Sequence, residues 1–177
     1  MKRLIFQVYV GKPSNLYDHC VKSVGKYCLD HNIDHVVLRE PKLKIRPDPF
    51  ASNRSKEAVE RLGYLPIYEK ENAFNYFGDY DQIAIVDSDI WIRPGSPNVF
   101  DDFDTESDFG GVVEREMPIT LEYKHKIMNY SAMQYDWLHK NDMTVDFKPN
   151  DLGYEFFNMG FMIMNKRIDR YLRGLTP

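Results

Sequence analysis

The sequence predicts a three-layer α/β fold with a mostly parallel central sheet. Two nearly continuous apolar runs, residues 4–10 and 82–86, lack the alternation of half-exposed strands and are typical of strands buried on both faces. After the first run, apolar side chains recur at helical spacing from Tyr17 to Cys28, and residues 35–38 form another short apolar run. A strand, a helix and a second strand in this order form the unit that builds parallel sheets covered by helices.

Apolar periodicity and turn residues predict the remaining elements. Residues 41–54 contain three prolines and several basic residues without any period, so this segment is interpreted as a loop, either a flap over the substrate or a solvated surface loop. The other predictions are a helix capped by Ser14 or Asn15, helices at 56–62, from Pro66 onward and at 123–140, strands at 109–113 and 156–164, and a last helix at 166–173.

Length, charge and cysteine content restrict the class of protein. A chain of 177 residues is long enough for one domain with a buried core, so we expect a single domain over 1–177. The net charge of −4 gives no basic surface for nucleic acid, and no apolar run approaches the roughly 18 residues of a membrane span. The expectation is a cytoplasmic protein with no transmembrane segment and no nucleic-acid partner, in which Cys20 and Cys28 are buried free thiols.

The segment Asp87-Ser88-Asp89 carries the chemistry. Aspartates two apart occur three times in the chain, but only this pair follows a buried strand, and ligands of open α/β sheets bind beyond the carboxyl ends of strands. In extended backbone both carboxylates project to one side, where Mn²⁺ or Mg²⁺ would bind them and share its other positions with a diphosphate. Ser88 is small enough to leave room for a ribose. The alternative is a pair of turn or capping aspartates.

Two ordered motifs resemble a known family. The run from Tyr80 to Arg93 around Asp87-Ser88-Asp89, and the later residues 156–165 (FFNMGFMIMN), resemble the DxD segment and the "yFNaGvmliN" strand of GT-A glycosyltransferases, closest to family eight with glycogenin and lipopolysaccharide galactosyltransferases. The resemblance implies a Rossmann-like GT-A fold of the nucleotide-diphospho-sugar transferase type. It also implies a metal-dependent enzyme that transfers a sugar from a nucleotide-sugar to a glycan or another hydroxyl acceptor, and the expected donor is a UDP-sugar.

Carried over position by position, the resemblance implies a set of site residues. Three of them also have a purely structural interpretation. Tyr9 could be a core residue, Lys70 a solvated lysine, and Glu114 part of a polar loop. The implied roles are base contacts for Val8, Tyr9 and Val10, a donor contact for Lys70, ribose and metal contacts for Asp87, a metal contact for Asp89, sugar-hydroxyl contacts for Glu114, and places at the reacting centre for Asn158 and Gly160.

Acceptor recognition is expected in residues 115–151. This segment supplies aromatic side chains, among them Tyr123 and Tyr130, on which sugars pack well. For an inverting reaction, Asp151 or Glu155 would be the base that takes a proton from the acceptor hydroxyl, but inversion and retention both stay open.

One departure from the family keeps two other functions open. Family-eight enzymes take a third metal ligand from a histidine in a C-terminal motif, which does not occur before Pro177. Either water or another group completes the metal coordination, or the chain is a compact or truncated member. The absence of this histidine motif favours a non-catalytic relative that binds a nucleotide-sugar or glycan. A sugar-nucleotide nucleotidyltransferase is a further alternative, although Gly11-Lys12-Pro13 is a slight substitute for the glycine-rich loop of those enzymes. Dinucleotide-binding and P-loop motifs are absent.

Overall fold

A computed structural model describes residues 1–47, 53–114, 117, 120–140, 149–151 and 153–172. The chain forms two compact units, one of residues 1–110 with 160–177 and one of residues 111–159. The strands are β1 (Arg3–Val8), β2 (Asp34–Leu38), β3 (Gln82–Val86), β4 (Phe109–Val113) and β5 (Phe157–Asn165). The helices are α1 (Asn15–Asp30), α2 (Asn53–Leu62), α3 (Leu121–Lys140) and α4 (Asp169–Leu172), with 3₁₀ helices at Pro66–Tyr76 and Lys166–Ile168.

The central sheet has the order β2-β1-β3-β5-β4. β1 pairs in parallel with both β2 and β3, whereas β5 runs antiparallel to β3. β3 therefore lies in the middle of a mixed, mostly parallel sheet, as its uninterrupted apolar sequence predicts, and all five of its residues are buried.

Two hydrophobic cores lie on opposite faces of this sheet, because successive side chains of a strand point to opposite sides. Ile5 and Ala84 pack on one face against Val24 and Cys28 of α1. The neighbouring strand residues form the other core with side chains of the long 3₁₀ helix; its members include Leu4, Phe6, Ile83, Ile85, Ala73 and Phe77. The predicted three-layer α/β arrangement is therefore confirmed.

Several predicted boundaries need correction. β1 ends at Val8 rather than at residue 10, since Tyr9 makes a last backbone bond to Leu38 (2.8 Å) and Gly11 then turns the chain at a φ of 103°. The helix from Pro66 is a 3₁₀ helix. The predicted loop at 41–54 already ends where α2 begins at Asn53, and its residues 48–52 lie outside the described part of the chain. The helix predicted at 166–173 is a 3₁₀ turn followed by the short α4, and residue 173 also lies outside that part.

The helix predicted at 123–140 is confirmed as α3, and its buried side chains recur at helical spacing. Ile127, Ser131 and Tyr135 are buried, and the Tyr135 ring stacks on Tyr154 with centroids 4.3 Å apart. Cys20 and Cys28 are buried free thiols, as predicted. Among the described helices, none combines the length and the apolar character that crossing a membrane requires.

A buried carboxylate holds the first part of the 41–54 loop. Glu69, on the long 3₁₀ helix, is only 1% exposed. Its carboxylate accepts hydrogen bonds from the backbone N–H groups of Lys42, Leu43 and Lys44 at 2.8–3.2 Å, and from the Asn72 amide at 2.9 Å. Burial alone would raise the pKa of the Glu69 carboxyl, but these hydrogen bonds outweigh it and hold the pKa below its ordinary value.

Replacement of this carboxylate tests its role as an anchor. Glu69→Gln puts an amide N–H₂ in front of backbone donors, so we expect the free energy of unfolding at pH 7 to fall by about 1–3 kcal/mol. Urea denaturation measures the change. The exposed Glu57 on α2 supplies the matched control, since Glu57→Gln should leave the stability unchanged.

The effect should also depend on pH with a defined sign. Because the folded-state pKa of Glu69 is lowered, its contribution is complete above the ordinary glutamate value of 4.5 and is lost as the pH falls through the folded pKa. The difference between wild type and Glu69→Gln should therefore shrink in acid. A constant difference from pH 7 down to pH 3 would contradict the assignment.

Candidate functional site

A cleft of about 690 Å³ opens at the carboxyl ends of β1 and β3. Its wall includes Val8 at the end of β1 and the Asp87-Ser88-Asp89 segment directly after β3. This is the position at which open α/β sheets bind ligands. Further lining residues are Val10, Gly11, Lys12, Pro13, Ser14, Leu16, Tyr17, Arg61, Leu62 and Pro66.

The aspartate segment is a turn and not a continuation of the strand. The Ile90 N–H donates to the Asp87 carbonyl oxygen at 3.1 Å, which closes a four-residue β-turn. The expectation that extended backbone aligns the two carboxylates is therefore wrong, because Asp and Ser in this position favour a turn at the strand end. Both aspartates nevertheless line the same cleft, with Asp87 half-buried and Asp89 exposed.

Buried polar groups fix the backbone of Asp87. Its N–H donates to the Gly160 carbonyl oxygen at 2.8 Å, and its own carbonyl oxygen accepts from Gln7 Nε2 at 3.1 Å. Gln7 is fully buried on β1, and its Oε1 lies 2.9 Å from His35 Nε2. Burial, and then the nearby Arg39 charge, lower the pKa of His35, which favours the neutral ring. Because Gln7 Oε1 is an amide oxygen and can only accept, His35 Nε2 is the donor of this hydrogen bond.

An ion pair joins Lys70 to Asp87. Lys70 Nζ lies 2.5 Å from Asp87 Oδ1, and the side chains are 11% and 37% exposed. The interpretation of Lys70 as a solvated lysine is therefore wrong. A lysine is buried at this depth when a carboxylate compensates its charge.

The cleft also carries positive charge. Lys12 and Arg61 line it, and α1 begins there with Ser14 in the capping position but without a side-chain cap to its first turn. The free N–H groups of a helix N-terminus and its dipole favour an anion. Together with the two aspartates, these groups suit a ligand that combines negative charge with a divalent cation.

Tyr9 lies beside the cleft without lining it. Its side chain is 5% exposed, its hydroxyl donates to the Ser14 carbonyl oxygen (3.1 Å) and accepts from the Ser14 N–H (2.7 Å). The Arg39 guanidinium lies over its ring at 4.1 Å. This placement agrees with the core alternative for Tyr9, which supports the entry to α1.

Asp87 and Asp89 are the residues here that fit a divalent cation. Carboxylate oxygens are the ligands that Mg²⁺ and Mn²⁺ prefer, but Lys70 occupies one Asp87 oxygen. Within the described residues, no group of three His, Cys, Asp or Glu side chains could hold a metal ion. A cation at this place would therefore depend on water and on a ligand's own oxygens for its remaining positions.

Other predicted residues lie in the unit of residues 111–159. Asn158 Nδ2 donates to Glu114 Oε1 at 2.8 Å, and the Tyr123 hydroxyl reaches Glu114 Oε2 at 3.5 Å. Glu114 is 6% exposed, so it is not part of a solvated polar loop. Burial, and then the Glu114 charge, raise the pKa of Tyr123. Asp151 is exposed and Glu155 is half-buried.

Within this unit, much of the predicted acceptor segment lies outside the described residues, namely 115, 116, 118, 119, 141–148 and the side chain of Trp137. Tyr123 and Tyr130 on α3 are 42% and 43% exposed.

Sequence reasoning missed three residues of the cleft region. Gln7 had a signal, because it is the single polar residue within the apolar run that forms β1. Lys12 had a weak signal, because it stands between a glycine and a proline directly after the first apolar run. Arg61 had none, since an arginine at the end of an amphipathic helix is ordinarily solvated.

Comparison with known proteins supports the fold. No protein-family model matches the chain, and no curated protein matches it in sequence. Among solved structures, the chain is similar to a glycosyltransferase involved in the glycosylation of the major capsid of PBCV-1, with a TM-score of 0.52 and 11% identity over 100% of this chain and 69% of that one. At this identity the likeness concerns the fold, and it confirms a GT-A-like α/β fold. The family-eight assignment stays a prediction.

The hydrogen bond from Gln7 to Asp87 can be tested against a matched glutamine. Gln82 on β3 is equally buried and bonds to Asn165 (2.9 Å), away from the turn. Replacement of either glutamine by leucine leaves buried polar groups unpaired. We therefore expect the free energy of unfolding of each variant to fall by about 1–3 kcal/mol. Only Gln7→Leu should accelerate hydrogen exchange at the Asp87 and Ile90 amides. Equal acceleration in Gln82→Leu would show that the turn does not depend on Gln7.

Proposed function

We propose that this protein is a metal-dependent glycosyltransferase that binds a nucleotide-sugar in the cleft beyond β1 and β3. The observation that carries the proposal is the joint placement of Asp87, Asp89 and the buried Lys70 at the carboxyl end of the central strand, in a GT-A-like fold. A glycosyl transfer role for the solved structural neighbour supports it.

The cleft offers a suitable surface to each part of such a donor. The nucleoside would lie along Val8 and Val10 at the end of β1, with its ribose next to Ser88. The diphosphate would meet the N-terminus of α1 together with Lys12 and Arg61, where peptide N–H groups and two cationic side chains favour its charge. A UDP-sugar is the donor we propose.

Asp87 and Asp89 would hold Mn²⁺ or Mg²⁺ through their carboxylate oxygens. A divalent ion bound there supplies Lewis-acid stabilisation of the charge on the departing diphosphate. Lys70 holds Asp87 in place from the buried side, and its cation adds to the positive field at the same point. Gln7 and Gly160 keep the turn in register with β3, so the carboxylates are presented without reorganisation.

Glu114 and Asn158 would take part as the resemblance implies. The buried Glu114 carboxylate would bond hydroxyls of the donor sugar, and Asn158, whose amide donates to it at 2.8 Å, would lie at the reacting centre. Asp151 and Glu155 stay the candidates for the base of an inverting reaction, with a glycan or another hydroxyl compound as acceptor. A non-catalytic nucleotide-sugar-binding relative is the competing proposal, since the two described carboxylates are few for a catalytic metal.

The choice of aspartate pair is tested by two substitutions. Asp89→Ala should abolish Mn²⁺-dependent binding of UDP-sugars, whereas Asp104→Ala should preserve it, because Asp104 lies in a surface turn and its side chain bonds to its own neighbours. Calorimetric titration of UDP-glucose and UDP-galactose with Mn²⁺ measures both. Equal losses would mean that the site is elsewhere.

Donor hydrolysis then separates an enzyme from a binding protein. Release of UDP from a bound UDP-sugar, dependent on Mn²⁺ and lost in Asp89→Ala, supports the enzyme. Tight binding without any release of UDP supports the non-catalytic alternative.

The ion pair predicts that replacement of Lys70 changes the affinity for the metal and the affinity for the nucleotide-sugar in opposite directions. Lys70→Met removes the cation that competes for the Asp87 carboxylate, so the affinity for Mn²⁺ alone should rise by about tenfold, or 1.4 kcal/mol. The affinity for the UDP-sugar at saturating Mn²⁺ should fall, since a positive charge near the diphosphate is lost. Lys56→Met on α2, where the lysine is 58% exposed, is the control. An unchanged Mn²⁺ affinity in a folded Lys70→Met variant would show that the metal does not bind Asp87.

A further inference from the structure

A second cleft, of about 570 Å³, lies along the outer side of α1. Its other wall is the chain segment of residues 91–97, which follows the Asp87–Asp89 turn. The side chains that give it chemical character are Lys22, Lys26, Trp91 and Arg93, above an apolar floor that includes Tyr27 and Ile92.

Hydrogen bonds from one side of α1 hold this second wall in place. Ser23, Tyr27 and His31 are spaced at four-residue intervals, so their side chains lie in a row on the helix. They bond to backbone groups of residues 92–99 at distances of 2.7–3.0 Å. The cleft is therefore preformed, as ligand sites commonly are.

Alternation along the segment directs the aromatic ring outward. Ile90 and Ile92 pack against the hydrophobic core, whereas Asp89, Trp91 and Arg93 are exposed. Trp91 keeps 49% of its surface accessible. A large aromatic face left open on a rigid wall is a surface that ligands use.

The charge of the cleft is positive in a chain of net charge −4. Three cationic side chains, Lys22, Lys26 and Arg93, line it. Asp30, the one carboxylate among the described lining residues, pairs with Lys26 at 2.9 Å, so within this described lining the charges of Lys22 and Arg93 have no counter-ion.

We propose that this cleft binds an anionic saccharide. The Trp91 face would pack against the C–H surface of a sugar ring, and Lys22 and Arg93 would pair with its carboxylate or sulfate groups. Neither feature alone defines such a ligand. A flat aromatic wall and two cations within one preformed cleft fit an acidic sugar better than a neutral one.

The second cleft lies next to the donor cleft, which indicates a role for its ligand in the transfer reaction. This inference rests on the proposed function. Asp89 lines the donor cleft and Trp91 the second one, and two residues span at most about 7 Å of chain. On α1, Leu16 and His19 line the two clefts within one helical turn. An acidic oligosaccharide bound at Trp91 would then be the acceptor of the transferred sugar.

Binding can be measured without any transfer reaction. The full chain is titrated with tetragalacturonic acid, with a heparin tetrasaccharide and with neutral maltotetraose at millimolar concentrations, while the Trp91 indole N–H is followed by NMR. We expect an acidic tetrasaccharide to shift this signal, with an affinity that falls as salt is added. Maltotetraose should bind at least about tenfold more weakly.

Variants connect the binding to the cleft. Trp91→Ala and Arg93→Met should each lower the affinity for the acidic tetrasaccharide by about tenfold. Leu29→Ala should have no effect, because Leu29 is 83% exposed on α1 but does not line the cleft. The proposal is overturned if neither acidic probe shifts the Trp91 signal, or if Trp91→Ala binds as wild type does.

The two proposals fail separately. Asp89→Ala should lose the UDP-sugar and keep the acidic saccharide. A protein that binds the saccharide but no nucleotide-sugar would refute the donor site and retain this one, and the reverse result would refute this one alone.

Discussion

The ion pair between Lys70 and Asp87 connects the long 3₁₀ helix to the end of the central strand, where Asp87 lines the cleft. Removal of one partner from a buried pair leaves a charge that nothing compensates, although the partial exposure of Asp87 softens that cost. The preceding residue, Glu69, binds three backbone N–H groups of the 42–44 segment. Adjacent residues of one helical turn thus fix the position of the aspartate turn and of a neighbouring loop.

Much of this arrangement is readable from the sequence, because it depends on patterns within single segments. The buried strands, the α1 helix and the α3 stripe follow from the spacing of apolar residues, and a strand-end aspartate follows from its neighbours. Contacts such as Gln7 to Asp87 join residues 80 apart, which no local pattern encodes. The 3₁₀ form of residues 66–76 was not predicted because 3₁₀ runs longer than three or four residues are uncommon, so a helical segment of this length is expected to be an α-helix.

The turn at Asp87 has a further consequence for the shape of the surface. A strand that simply continued past Val86 would carry its side chains on along the sheet, but the turn redirects the chain so that Ile90 and Ile92 return to the core. The residues between and after them, Trp91 and Arg93, must then face outward. One short segment therefore lines two clefts, and the Ser23 hydroxyl of α1 holds that segment by accepting a hydrogen bond from the Ile92 N–H.

The same turn shows why an Asp-x-Asp pattern alone is ambiguous. Aspartate and serine favour turns at strand ends with or without a ligand, so their presence here is explained by local backbone chemistry. Local chemistry does not explain a lysine that is 11% exposed and directed at the first carboxylate, because a turn needs no buried cation and lysine is costly to desolvate. Such a charge is retained where the position of the carboxylate matters. The buried Lys70, more than the spacing of the aspartates, is what favours a binding site over a simple turn.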